Sequence, residues 1–404
     1  MLTKDSVGKR SEKEEKQGME AVRGFLARKN VEISVQRYLI DALGAMAQGL
    51  FASLLMGTIL STIGQQAGIP LFTEVGDFAK SAAGPAMAVA IAFALRAPAL
   101  VLFSMVAVGT AANSLGGAGG PLAVLVVALI ATEVGKLVSG ETKIDILVTP
   151  FVTIMGGCLL SIACAPAIGA AATWVGGIIM WATELQPFFM GIIVSVLVGI
   201  ALTLPISSAA ICAALSLTGL AGGAAVAGCC AQMVGFAIMS FKENRWGGLV
   251  SQGLGTSMLQ MGNIIRNPRI WIPPTLASAI TGPIATCIFQ LKMDGAAISS
   301  GMGTCGLVGP IGVYTGWISD ITAGTMSAIT AFDWVGLILI CFILPAVLTY
   351  FIGLFFRKIG WIKEGDLTLV SADDIIKKQT EVKEQPLSAD KEKEQVQSAD
   401  KAKE

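Results

Sequence analysis

Polar and apolar positions along this chain are sorted into blocks. Residues 1–36 are basic and mixed in charge, residues 358–404 are polar and rich in Lys and Glu, and the part between, 37–357, holds long apolar runs. A bilayer core of about 30 Å takes about 20 apolar residues as a helix. Apolar segments of that length or somewhat shorter run over 38–63, 82–95, 98–113, 122–138, 146–170, 188–204, 272–291 and 333–356. The stretch 205–241 is too long for one straight span, and the Leu-Thr-Gly-Leu-Ala-Gly-Gly at 217–223 invites a break, so two short segments are expected there. The pattern predicts an all-α polytopic membrane protein of about ten transmembrane helices.

One apolar stretch does not fit a simple helix. Between Met293 and Trp317 seven glycines and Pro310 interrupt the run, and each glycine inside a helix costs about 1 kcal/mol relative to alanine. A broken or re-entrant hairpin is expected. Irregular backbone at membrane depth survives only inside protein or beside water, and broken helices there present backbone groups to a bound solute. Close packing of helices on small residues is the alternative.

The polar segments add topology. Ser11 and Glu14 stand at capping-box spacing, with Met19, Val22, Phe25 and Leu26 on one helical face. That predicts an amphipathic cytoplasmic helix whose Arg23, Arg28 and Lys29 meet anionic headgroups, or one that docks on the protein. Arg37 and Asp41 are spaced for a helix ion pair. Residues 242–271 are too polar and basic to cross and are expected along the cytoplasmic face. The tail 358–404, with SADKEKE at 388–394 repeated as SADKAKE at 398–404, is expected to be disordered. With this arrangement all nine arginines face the cytoplasm, which by the positive-inside rule puts both termini inside.

Composition sharpens this. Charged residues make up 14% and apolar ones 54%, with a mean hydropathy of +0.72, against about 25% charged in soluble domains. The net charge is zero, and nothing points to nucleic acid as a partner. The eight cysteines all lie in apolar segments and form no CxxC pair, as buried thiols do. Histidine is absent, which excludes histidine proton relays, metal sites and a phosphohistidine on this chain. No nucleotide-binding loop, zinc motif or nucleophile with a histidine partner occurs, so neither catalysis by this chain alone nor a cofactor or metal is expected.

Candidate residues are therefore the polar groups in or beside spans. Glu133 lies in LIATEVGKL with Lys136 three residues on; it either meets a solute or pairs along the helix face. In LTLPISSAAI, Pro205 breaks a helix, and Ser207 and Ser208 follow where hydroxyls cap or bind a ligand. Gly301, Gly303, Thr304, Gly306 and Gly309 offer the backbone of the glycine-rich stretch. At the inner surface Lys143, Asp145, Asn263, Arg266, Asn267 and Arg269 are candidates for docking a partner, or for plain membrane-flanking charge.

The stretches RYLIDALGAMAQGLFASLLMGTIL (37–60), GETKIDILVTP (140–150), LPISSAAI, GTSMLQMGNIIRNPRIWIPPTLASAITGPI (255–284) and GMGTCGLVGPIG (301–312) resemble one family. The chain is similar to the membrane permease subunit, enzyme IIC, of the bacterial phosphoenolpyruvate-dependent sugar phosphotransferase system, in the branch that holds perfringolysin O regulator-like proteins. The resemblance implies a homodimeric elevator-like sugar transporter of the bacterial inner membrane, served by separate IIA and IIB proteins. Characterised relatives pair a glutamate with a histidine at the sugar, and this sequence has no histidine. A permease-fold sensor or regulator without transport, or a cation-coupled transporter of another small solute, are the competing readings.

Overall fold

The computed structural model describes residues 23–32 and 34–369. The capping-box pair Ser11 and Glu14, with Met19 and Val22, and the tail repeats lie outside them. Among the described residues every element is helical, and the sole strand-like pairing is the antiparallel bridge between Gly219 and Met293.

Helix α1, Gln36–Ala67, runs through two π-helical turns and stops at Gly68, whose φ of +67° ends it in the left-handed conformation. Its start departs from expectation. Arg37 is buried and turns away from Asp41, donating to Leu95 O (3.0 Å) and Asn30 Oδ1 (3.1 Å), while Asp41 accepts from Gln36. Helix α2, Pro70–Ser81, folds back on α1, and α3, Ala83–Ala94, follows. Helices α4, Ala99–Gly116, and α5, Gly120–Val138, form an antiparallel pair about Gly117, whose φ of +50° and ψ of −121° suit glycine. Helix α6, Asp145–Thr183, keeps helical form through Pro150 and Pro166 and is about 58 Å long at 1.5 Å per residue.

The second half comprises α7, Pro187–Thr203; α8, Ser208–Ala214; α9, Gly219–Met239; α10, Phe241–Val250; α11, Ile272–Pro283, prolonged by a π turn to Ile288; α12, Val308–Ala323; and α13, Ala331–Lys358. Among the described residues five helical runs are long and apolar enough to cross a membrane: α1, the run Ala99–Val138 that holds α4 and α5, α6, α9 and α13. Helices α3 and α7 are apolar but shorter.

Helix α9 is the axis of this half, buried on nearly every face and packed against α7, α11 and α13. Its composition explains that. Alanine, glycine and cysteine leave little side chain, so neighbours approach to backbone contact. Two segments do fill 205–241, α8 and α9, but the break falls slightly earlier than expected, at 215–218, where Gly219 turns the chain with φ +65°, and the second segment is not short: α9 runs 21 residues. Glycines at 222 and 223 serve packing and do not interrupt it.

Residues just past 358, read from the sequence as the start of the polar tail, pack against the helices. Ile362 and Leu367 are buried in the core, and the carbonyls of Trp361, Leu367 and Thr368 accept from the side-chain amides of Asn267, Asn244, Gln260 and Asn263. The stretch 242–271 supplies those amides from within: Gln252, Ser257 and Gln260 are fully buried. Buried amides need partners, and a length of backbone without regular structure provides them.

Candidate solute-binding core

Two interrupted segments meet against α9. The first is the break between α7 and α8, where Leu204 leaves the helix in an extended conformation and Pro205 cannot continue it. Ser207 then caps α8, its Oγ accepting from Ala210 N at 3.2 Å, while its own N–H donates to Ala118 O at 2.9 Å. The second is 289–307, which forms short 3₁₀ turns at Ala297–Gly301 and Cys305–Leu307 before α12 begins. Ser208 Oγ donates to Gly301 O at 2.7 Å, and Ser300 Oγ donates to Leu217 O at 2.6 Å. Each broken segment thus satisfies part of the other's backbone.

Glycine is required here by distance. A Cβ on Gly301 would lie 2.5 Å from Ser208 O; one on Gly303, whose φ is +52°, would lie 2.6 Å from the Cys229 Cβ on α9; one on Gly309 would lie 2.6 Å from Gly303 O. Thr304 is fully buried, with its Oγ1 3.6 Å from Met233 Sδ. Gly306 and Leu307, both with positive φ (+52° and +61°), form the last turn before α12. That turn lines a mostly apolar cavity of about 480 Å³ with Ile59, Thr62, Gln66 and Leu254, a size ordinary for a small-molecule site.

A polar network lies on the other side of the α7–α8 break. Gln232 of α9 is fully buried; its Oε1 accepts from Trp271 Nε1 (3.0 Å) and Thr203 Oγ1 (3.3 Å), and its Nε2 donates to Thr275 Oγ1 (3.3 Å). Thr203 Oγ1 also stands 2.8 Å from Ser257 Oγ. Sequence reading passed over Gln232, although a lone amide in a run of small apolar residues at membrane depth is a signal in itself. Gln232→Leu is expected to cost about 1–2 kcal/mol by stranding the Trp271 N–H. Thermal unfolding of the purified protein measures this, and an unchanged midpoint would show that the network carries no stability.

Ser207, Ser208, Gly301, Gly303, Thr304, Gly306 and Gly309 are therefore brought together, but Glu133 is not. It sits thirteen residues into α5 from Gly120, about 20 Å along the helix from the end that Ser207 touches. There Lys136 Nζ donates to Glu133 Oε1 (3.0 Å), Asn30 O (2.7 Å) and Leu95 O (3.1 Å). Nearby, Lys29 and Arg28 both pair with Glu141, whose carboxyl the Lys29 hydrogen bond holds below its usual range.

The inner-surface candidates divide as well. Lys143, Arg266 and Arg269 are exposed. Asp145, the first residue of α6, accepts from Gly140 N (2.7 Å) and Thr149 Oγ1 (2.6 Å). Asn263 and Asn267 hold the 361–368 segment, and Arg269 lies over the Trp361 ring at 5.2 Å. Among the described residues no cluster of Cys, Asp or Glu is placed to hold a metal ion.

Membrane-spanning helices around a polar, glycine-broken centre are the framework of an integral membrane transport component. Residues 40–369 match the family described as Phosphotransferase system, EIIC, and the chain belongs to that family, the permease component of the system. Neither the curated proteins nor the solved structures gave a match.

Proposed function

We propose that this chain binds and translocates a sugar as the membrane subunit of a bacterial phosphoenolpyruvate-dependent phosphotransferase system. The observation that carries the reading is the meeting of two broken segments at Ser208 and Gly301, beside a cavity of small-molecule size. Hydroxyls and carbonyls that now bond one another, Ser208 to Gly301 O and Ser300 to Leu217 O, are groups of the kind a neutral polyol takes. In this reading the chain crosses the bacterial cell membrane about ten times, with 293–307 as a re-entrant hairpin, both termini cytoplasmic, and a homodimer as the working unit. Separate IIA and IIB proteins supply the phosphoryl group and dock on the inner face, where Lys143, Arg266 and Arg269 are exposed.

A panel of sugars tested for thermal stabilisation of the purified protein is the direct experiment. A ligand at one hundred times its dissociation constant adds about 2.7 kcal/mol. One sugar is expected to raise the midpoint, and Gly301→Ala, which drives a Cβ against Ser208 O, is expected to abolish the response. Stabilisation by an ion or another solute, with none by any sugar, would shift the assignment to a sensor or a cation-coupled transporter.

A further inference from the structure

A cavity of about 690 Å³ lies away from the solute core, where the C-terminal ends of α9 and α13 meet α10. Four cations line it: Lys242, Arg245, Arg357 and Lys363. Two are neutralised within the protein. Arg357 Nη2 donates to Glu243 Oε1 at 2.7 Å and to Met239 O at 3.1 Å, and Lys242 forms an ion pair with Glu364. The side chains of Arg245 and Lys363 have no hydrogen bond or ion pair among the described residues.

Arg245 is also held in an unusual backbone conformation, φ +52° and ψ −149°, a region that residues with a Cβ avoid. An exposed guanidinium with no partner among the described residues thus lines the cavity.

The opposite wall is apolar and leads into the membrane. Tyr350, Gly353, Leu354 and Arg357 line the cavity from one face of α13, at the i, i+3, i+4, i+7 spacing of a helical stripe. That stripe climbs about 10 Å from the cationic floor. Beside it Phe351 and Phe355 are 63% and 59% exposed, so the apolar wall continues onto the outer surface of a membrane-spanning helix.

We infer that this cavity is a binding site for an anionic phospholipid, its phosphodiester held by Arg245 and Lys363 and its acyl chains laid along Tyr350 and Leu354 of α13. Guanidinium groups bind phosphate through paired N–H donors, and basic pockets between helices at the cytoplasmic face select anionic headgroups. A soluble phosphate ester would use the floor alone and leave the apolar wall without a role. The site is independent of whether the core binds a sugar.

The test uses the full chain, purified in a neutral detergent and depleted of lipid. Its thermal unfolding midpoint is followed while dioleoyl phosphatidylglycerol, dioleoyl phosphatidylcholine or glycerol phosphate is added. Phosphatidylglycerol is expected to raise the midpoint at concentrations where the other two do not. In Arg245→Gly the charge goes and the strained backbone becomes permissible, so the fold persists; with Lys363→Gln added, at least tenfold more phosphatidylglycerol is expected for the same shift. Equal stabilisation by phosphatidylcholine would overturn the proposal, as would an undiminished response in the double variant. A response to glycerol phosphate equal to that of the lipid would reassign the cavity to a soluble phosphate ester.

Discussion

Replacing Lys136 by methionine is expected to destabilise the protein by about 3–5 kcal/mol, the loss typical of breaking a buried ion pair from one side. Lys136 is 1% exposed, and its three ammonium protons go to Glu133, Asn30 O and Leu95 O. Methionine fills the same volume but leaves a Glu133 carboxylate, 14% exposed, without a cation. Adding Glu133→Gln removes that stranded charge and is expected to recover most of the loss. Glu133→Gln alone would be the milder single change, since an ammonium bonded to two carbonyls keeps partners. Thermal unfolding of the four proteins closes a double-mutant cycle; additive losses would show that the two residues do not act as a pair. The same cluster ties the segment before α1 to the end of α5, so protease cleavage near residues 28–32 is expected to accelerate in Lys136→Met.

Much of the fold is legible in the sequence because apolar length alone fixes a membrane helix. Segments read at 98–113, 122–138 and 188–204 correspond to helices at Ala99–Gly116, Gly120–Val138 and Pro187–Thr203. The glycine-rich stretch announces its broken backbone up to Leu307 for the same local reason, an accumulated helix penalty, but the expectation fails beyond it, where α12 stays helical through Gly309, Gly312 and Gly316. What the sequence could not show is pairing across distance. Ser208 and Gly301 are 93 residues apart, and no local pattern links a serine after a proline to one particular glycine. At Glu133 one of the two sequence readings, the helix-face ion pair with Lys136, is the one observed. An acidic residue in an apolar helix reads as a solute ligand or as half of an ion pair, and Asn30 and Leu95, which decide where Lys136 is held, lie outside its own segment. The amides of 242–271 were misleading in a third way: polar composition suggested a surface strip, but their partners are carbonyls of 361–368, which charge-rich neighbours disguise as tail.

Gly223→Ala is expected to cost about 3 kcal/mol, at the upper end for an inserted methyl, because the new Cβ would lie 1.7 Å from Leu291 O. Gly228→Ala meets a similar obstacle, with its Cβ 1.9 Å from Ser195 O. Both obstacles are backbone carbonyls, so no side-chain rotation relieves them. Helix α9 must move as a unit, or its neighbours must. At Gly223 the neighbour is the segment that pairs with Gly219 through the Met293 bridge, with N···O distances of 3.1 and 2.9 Å, and leads into the 297–307 turns. Displacing it would part Ser300 from Leu217 O and Gly301 from Ser208, so solute binding is expected to fall with stability. At Gly228 the neighbour is α7, and stability alone is expected to change. Gly177→Ala on α6 is the control: no atom lies within 4 Å of its added Cβ, and the change is expected to be neutral or to stabilise by about 0.5–1 kcal/mol. Unfolding midpoints of the three variants decide the matter. If Gly223→Ala behaves like Gly177→Ala, the backbone contact between α9 and residues 291–293 is looser than described, and the glycine-rich segment does not depend on it for position.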